Sequence, residues 1–245
     1  MISLRGGVLA RAAIFDFNGT ITLDEHIYCE IFQELLGPLG IPLTAERYFG
    51  ELVGLDDATV LARVLAEHGR PTDAATIEAL LRRRLDLYLE RADDRPPIRP
   101  GSRELVLDLA GRLPIAVASG ALREEVEFVL DRGGLLDCFQ AIVTIEDVER
   151  AKPDPEGYEL ALARLNAGRS SDALAPSDVV VFEDSAPGVQ AAKAAGMACI
   201  AVLGTLGAAD ADRLGLADLV VDELGAGLVE HGGSPPCDRP HDPDG

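Results

Sequence analysis

The chain has 245 residues, of which 47 % are hydrophobic, and a formal net charge of −20. That is enough apolar material for one large domain or one domain with an insertion, and no stretch approaches the roughly 20 apolar residues that span a bilayer. The negative charge argues against nucleic acid and anionic membrane surfaces as partners. The N-terminal MISLRGGVLARAA is too broken in apolar character to read as a secretory leader. Cys29, Cys138, Cys199 and Cys237 stand too far apart for metal or redox spacing, so reduced thiols in a cytoplasmic protein are expected. Of 22 basic residues only Lys152 and Lys193 are lysines, which makes each worth a question.

In chain order, AAIFDF (12–17) is an apolar run that ends in an acid, as a strand buried on both faces would read before a loop. Residues 21–95 change character. They hold no convincing strand, and LDEHIYCEIFQELLGPLG, DDATVLARVLAEHG and DAATIEALLRRRLDLYLERA read as helices. DDRPPIRPGS (93–102) closes this segment with prolines that cannot continue a helix. Helix and strand then alternate: SRELVLDLAGR (102–112), LPIAVAS (113–119), ALREEVEFVLDRGG (121–134), QAIVT (140–144), EGYELALARLNAG (156–168), DVVVFED (178–184), APGVQAAKAAGM (186–197) and ACIAVL (198–203). The alternation predicts an α/β fold with a parallel sheet and right-handed crossovers, interrupted by a helical insertion. The Pro-, Gly- and Asp-rich tail HGGSPPCDRPHDPDG (231–245) is expected to be disordered.

In an open parallel sheet, ligands bind beyond the carboxyl ends of the strands. Four polar signals fall there: Asp16 after the first strand, Ser119-Gly120 after the second, Lys152 beyond the third and Glu183-Asp184 after the fourth. Each alone has a plain structural reading as a cap, a surface lysine or a strand-end acid. The adjacent pair Glu183-Asp184 is the strongest, because two acids after VVVF cost electrostatic free energy unless a cation or solvent offsets it. Oxygen-only ligands favour Mg²⁺. Together the parts suit phosphoryl transfer: a carboxylate attacks phosphorus, and Ser119, the neighbouring amides and Lys152 take the phosphate oxygens.

These motifs resemble the haloacid dehalogenase (HAD) superfamily. FDFNGT resembles its first motif (usually Asp-x-Asp-Gly-Thr), VASG (117–120) the second, KPDP (152–155) the third and FEDSAPGVQAAKAAGM (182–197) the fourth. The resemblance implies a Rossmann-like core at 1–20 and 97–230 with an all-helical cap at 21–96. It implies Asp16 as the nucleophile of an aspartyl-phosphate cycle, with Ser119, Gly120 and Lys152 binding phosphate. It implies Mg²⁺ held by Asp16, the backbone carbonyl of Asn18, Glu183 and Asp184. The substrate class implied is a small phosphorylated metabolite. YFGELVGLDDATVLARVL (48–65) resembles the cap of small-molecule phosphatases, and the Arg that related sugar-phosphate mutases carry near Asp57 is missing. Metal-free dehalogenation is a further alternative, disfavoured by the acid pair. The sequence carries no signal for oligomeric state.

Asn18 departs from the pattern. The family's phosphatases have an Asp there that protonates the leaving oxygen and activates water, and losing a general acid/base costs ~10²–10⁴ in rate. Three readings follow: a weakened phosphatase; an enzyme for substrates with a good leaving group, such as acyl phosphates, with water or a cap residue such as His26 standing in; or a catalytically silent phospholigand-binding protein. On this reading Asn18→Asp raises turnover. The arginines Arg47, Arg63 and Arg82 to Arg84 are within reach of an anionic substrate or lie on exposed helix faces.

Overall fold

A computed structural model describes residues 1–203 and 214–230. The expected disordered tail lies outside the described residues. Two short strands, β1 (Ile2–Leu4) and β2 (Val8–Ala10), precede β3 (Ala12–Phe15). Helices follow: α1 (Glu25–Leu36), α2 (Ala45–Arg47) running into a π-helical turn at Tyr48–Leu52, α3 (Asp57–Glu67) and α4 (Ala74–Asp94). The next elements are α5 (Pro100–Ala110), β4 (Ile115–Ala118), α6 (Arg123–Arg132), β5 (Ala141–Val143), α7 (Glu156–Leu165), β6 (Val179–Glu183), α8 (Ala186–Ala194), β7 (Ala198–Val202), β8 (Leu219–Val221) and β9 (Val229–Glu230).

Six parallel strands line up in the order β5-β4-β3-β6-β7-β8. This is the expected α/β, Rossmann-like core, and the helices α1–α4 form the all-helical cap inserted after β3. Strand β3 is central because the chain lays β4 and β5 on one side of it and β6 to β8 on the other. Its carboxyl end is therefore the switch point of the sheet. The apolar runs were readable because β3, β4 and β6 are buried along their whole length.

The two faces of the sheet are packed differently. Ala13 and Phe15 of β3, Ile115 and Val117 of β4 and Val180 and Phe182 of β6 share one core, which continues into the buried side chains of α1, α5 and α6. The alternate residues Ala12, Ile14, Ala116, Ala118 and Val181 meet α7 and α8 on the other face. Period-two alternation makes this division. The first face carries the phenylalanines: Phe15 stacks on Phe182 with centroids 4.7 Å apart and meets Phe139 edge-on at 6.1 Å.

Four features were not anticipated, the first being β8, which adds a sixth strand to the parallel sheet. β1 and β2 form a hairpin through Arg5-Gly6-Gly7, with both glycines at positive φ, and β9 pairs with β1 to make a small antiparallel sheet. Pro100 opens α5 at its first turn, where a missing N–H costs nothing, so the helix starts two residues earlier than expected. The two segments that join the cap to the core run side by side: Thr22 bridges Ile98, Leu23 N–H donates to Pro97 O at 2.8 Å and Arg99 N–H donates to Ile21 O at 2.9 Å. Among the described residues no helix is long and apolar enough to cross a membrane.

Phe15→Ala is expected to destabilise the protein by about 3–5 kcal/mol in urea denaturation, through lost transfer energy plus a cavity. Leu9→Ala, at a side chain 54 % exposed on β2, is expected to change stability by less than about 0.5 kcal/mol.

Candidate active site

The register of the sheet places the polar strand ends together. Phe15 is level with Val117 of β4 and Phe182 of β6, so Asp16 lies level with Glu183 and one step short of Ser119. Lys152 Nζ donates to Asp16 Oδ1 at 2.5 Å and to Glu183 Oε1 at 2.8 Å. Tyr158 OH, on α7, donates to the same Glu183 oxygen at 3.1 Å. The other Glu183 oxygen accepts from Asp184 N–H, Ser185 N–H and Ser185 Oγ at 2.6–2.9 Å. Asp16, Glu183 and Asp184 each offer a carboxylate oxygen within 4.8 Å of the others.

The electrostatics follow from crowding three carboxylates around one ammonium. Burial pushes Asp16 above the usual carboxylate range, with Lys152 opposing and Glu183 adding to the rise. Glu183 resists the same burial and is held low by Lys152 and the Ser185 donors. Asp184 is pushed well up by burial and by the charges of Glu183 and Asp16, and no donor among the described residues reaches its side chain. Lys152 overcomes burial because Asp16 and Glu183 hold its proton. An all-oxygen, acid-rich cluster with one uncompensated carboxylate fits a hard divalent cation. Two glycines make the approach possible. A Cβ on Gly188 would collide with the Glu183 carboxylate, and one on Gly19, at φ 77°, with that of Asp184.

Ser119 is buried, and its Oγ accepts from Ala121 N–H at 3.0 Å, in the turn before α6 rather than as the helix cap. Gly120 beside it is exposed. Asn18 faces a buried polar network of the cap. Its Nδ2 donates to Asp24 Oδ2 at 3.0 Å and to Tyr28 OH at 3.3 Å. Tyr88 OH donates to the same Asp24 oxygen at 2.6 Å, and Tyr28 OH donates to Glu125 at 2.8 Å. Arg84 joins Glu125 at 2.7 Å and also pairs with Asp57, with its guanidinium 4.6 Å from the centre of the Tyr28 ring.

Residues 10–196 match the haloacid dehalogenase-like hydrolase family. The chain belongs to that family. This HAD-like hydrolase is 29 % identical over 216 residues to a validoxylamine A 7'-phosphate phosphatase of Streptomyces hygroscopicus subsp. limoneus, covering 87 % of this chain and 94 % of the relative. It is 28 % identical to the fructose-1-phosphate phosphatase YqaB of Escherichia coli, over 77 % of this chain and 94 % of that protein. Among solved structures, a CbbY variant from Rhodobacter sphaeroides in complex with xylulose-(1,5)bisphosphate superposes with a TM-score of 0.75 at 28 % identity, over 90 % of this chain and 99 % of the other.

The HAD-like hydrolase brings Asp16, Lys152, Glu183 and Asp184 into one cluster but occupies the cap arginines elsewhere. Arg47 and Arg63 pair with Glu51 and Glu67, Arg82 with Glu78 and Arg83 with Glu90. The His26 side chain is exposed and makes no hydrogen bond among the described residues. The network of Asp24, Tyr28, Tyr88, Arg84 and Glu125 was missed. One signal pointed to it: Arg84 falls on the apolar stripe of α4, between Ile77, Leu80 and Leu81 on one side and Leu87 and Tyr88 on the other. A charged residue in such a stripe needs a buried partner.

Glu25 opens α1 and accepts from Tyr48 OH at 3.0 Å. Burial, reinforced by Asp24, pushes it up to about 7. The folded state thus keeps a proton that the unfolded chain releases near pH 4.3, so this group lowers stability as pH rises from about 4.5 to 7. Glu25→Gln is expected to remove about 1–3 kcal/mol of the fall in unfolding free energy between pH 5 and 7.5, measured by urea titration at both pH values.

Proposed function

We propose that the chain is a Mg²⁺-dependent phosphatase that hydrolyses a small phosphorylated metabolite through an aspartyl-phosphate on Asp16. The observation that carries this reading is the placement of Asp16 at the switch point of the sheet, paired with Lys152 inside a cluster with Glu183 and Asp184. The phosphatases among its relatives support the reaction class.

Asp16 attacks phosphorus, and the bond to the leaving oxygen breaks. Lys152 orients the nucleophile and takes a phosphoryl oxygen, which its three donors allow it to do together. Ser119 and the backbone amides that start the 119–123 turn receive the remaining oxygens. Glu183, fixed by Tyr158 and Ser185, holds Lys152 in place. Asp16, Glu183, Asp184 and the Asn18 carbonyl would hold Mg²⁺, which when bound supplies the positive charge that lets a carboxylate approach an anionic phosphoryl group. The helical cap restricts water and meets the rest of the substrate.

Hydrolysis of p-nitrophenyl phosphate and acetyl phosphate tests the reading. Turnover is expected to require Mg²⁺, to disappear in excess chelator and to fall by more than about a thousandfold in Asp16→Asn. Activity that survives Asp16→Asn removes the nucleophile, and full activity in chelator removes the metal. Phosphate-dependent thermal stabilisation without turnover of either compound would leave a phospholigand-binding protein.

A further inference from the structure

We infer that Asp24 and Tyr28 orient Asn18 so that position 18 offers the reaction an acceptor and no proton, and that the enzyme therefore turns over acyl phosphates much faster than phosphate esters of alcohols. The inference rests on the nucleophilic role of Asp16 and deepens that reading by naming the leaving group.

The orientation of the amide is forced by its neighbours. Asp24 is fully buried and receives Tyr88 OH at 2.6 Å on the same oxygen that meets Asn18 at 3.0 Å. That carboxylate oxygen can accept from the amide nitrogen, whereas a flipped amide would set oxygen against oxygen. Tyr28 gives its hydroxyl hydrogen to Glu125 at 2.8 Å, so toward Asn18 at 3.3 Å it too can only accept. Glu125 is held in turn by Arg84. Both Nδ2 hydrogens are thereby committed to buried acceptors. The carbonyl Oδ1 is the amide atom left without a partner among the described residues, and Asn18 is the part-exposed member of the pair.

The consequence for chemistry is specific. When an alcohol is the leaving group, its oxygen departs with a basicity near that of hydroxide, for which water has a pKa of about 16, and it needs a proton in the transition state. When an acyl phosphate reacts, the carboxylate that leaves has a conjugate acid near pKa 4 and needs none. The Asp16 oxygen forms the bond to phosphorus, the acyl C–O–P bridge breaks on the phosphorus side, and the electron pair leaves with the carboxylate. Water then attacks the aspartyl-phosphate, with Asn18 Oδ1 accepting its hydrogen bond. The water proton passes to the departing phosphate, which leaves as dihydrogen phosphate and returns Asp16 to its carboxylate.

The pairing also accounts for the identity of residue 18. A carboxylate there would meet Asp24 at hydrogen-bond distance, and two like charges would oppose each other in a buried site. Asn18→Asp alone is therefore not the simple gain expected from the motif. The exchange Asn18→Asp with Asp24→Asn keeps one donor facing one acceptor while it moves the carboxyl group to the reaction.

The experiment compares kcat and KM for acetyl phosphate, a series of aryl phosphates of graded phenol acidity and glycerol phosphate, alongside thermal stability. The proteins are the native chain, Asn18→Asp, Asp24→Asn and the exchanged pair. Native kcat is expected to fall steeply with leaving-group basicity, acetyl phosphate exceeding glycerol phosphate by about 10²-fold or more, with KM changing little. The exchanged pair is expected to flatten that dependence and to gain at least about tenfold on glycerol phosphate, while each single variant melts lower than both the native chain and the exchanged pair. Native turnover of glycerol phosphate equal to that of acetyl phosphate overturns the inference, as does absence of acetyl phosphate turnover. It is overturned equally if Asn18→Asp alone matches the exchanged pair in melting temperature and rate. Retention of acetyl phosphate turnover in Asp16→Asn would instead overturn the phosphatase reading beneath it.

Discussion

The ammonium of Lys152 is the contact on which the site depends. Three carboxylates at the ends of two adjacent strands would repel one another in a buried place, and a single cation set between Asp16 and Glu183 makes the arrangement tolerable. A lysine suits this position because its compact charge carries three donors that rotate about one bond, where a planar guanidinium would impose a fork. The chain has 20 arginines and two lysines, and one of the two sits here. Much of the surrounding structure serves to hold that contact. Lys152 stands in the turn that precedes α7, Tyr158 closes on Glu183 from that helix, and Ser185 with its backbone amide takes the opposite oxygen.

A second buried polar system lies across the loop from the first, and the two differ in kind. Around Lys152 the groups surround the nucleophile. Around Asp24 they tie helices of the cap to the core: Asp24 and Tyr28 belong to the α1 region, Arg84 and Tyr88 to α4, Glu125 to α6 of the core. Two tyrosine rings stacked 5.1 Å apart give this network an apolar body with polar rims. Asn18 stands between the two systems and belongs by its side chain to the cap. A residue that motif comparison would mark as a lost catalytic group is, in its surroundings, the charge-compatible partner of a buried acid.

What the sequence made legible follows from how local each signal is. The sheet strands from Ala12 to Val202 were readable because burial on both faces leaves uninterrupted apolar runs. Their ends were placed one or two residues too far out, since residues such as Phe17 and Leu203 continue the composition after the hydrogen-bonded ladder stops. β1, β2, β8 and β9 have two or three residues each with a single buried position apiece, too short and too little buried to stand out. Asp16, Glu183 and Asp184 stood out because a charge at the end of an apolar run is a local anomaly, and Lys152 because it is one of only two lysines and lies beyond the third strand. Asp24 gave no such sign. It reads as an ordinary helix cap, yet makes no cap hydrogen bond and turns its side chain to Tyr88, 64 positions away. Partnerships of that range are not written in any window of sequence.

The paired linkers give the molecule a particular mechanical character. Both connections between cap and core pass through one short antiparallel contact, Thr22 against Ile98, and Arg99 and Ser102 reach from the second connection to the carbonyls of Gly19 and Thr20 at 2.7 and 2.6 Å. Two strands of chain fastened in this way cannot bend independently, so the paired linkers form one pin, beside the separate fastening of Tyr28 and Arg84 to Glu125. The loop behind the nucleophile is part of that pin. Any rotation of the cap would therefore be felt at Gly19 and Thr20, three and four residues from Asp16, as well as at Glu125.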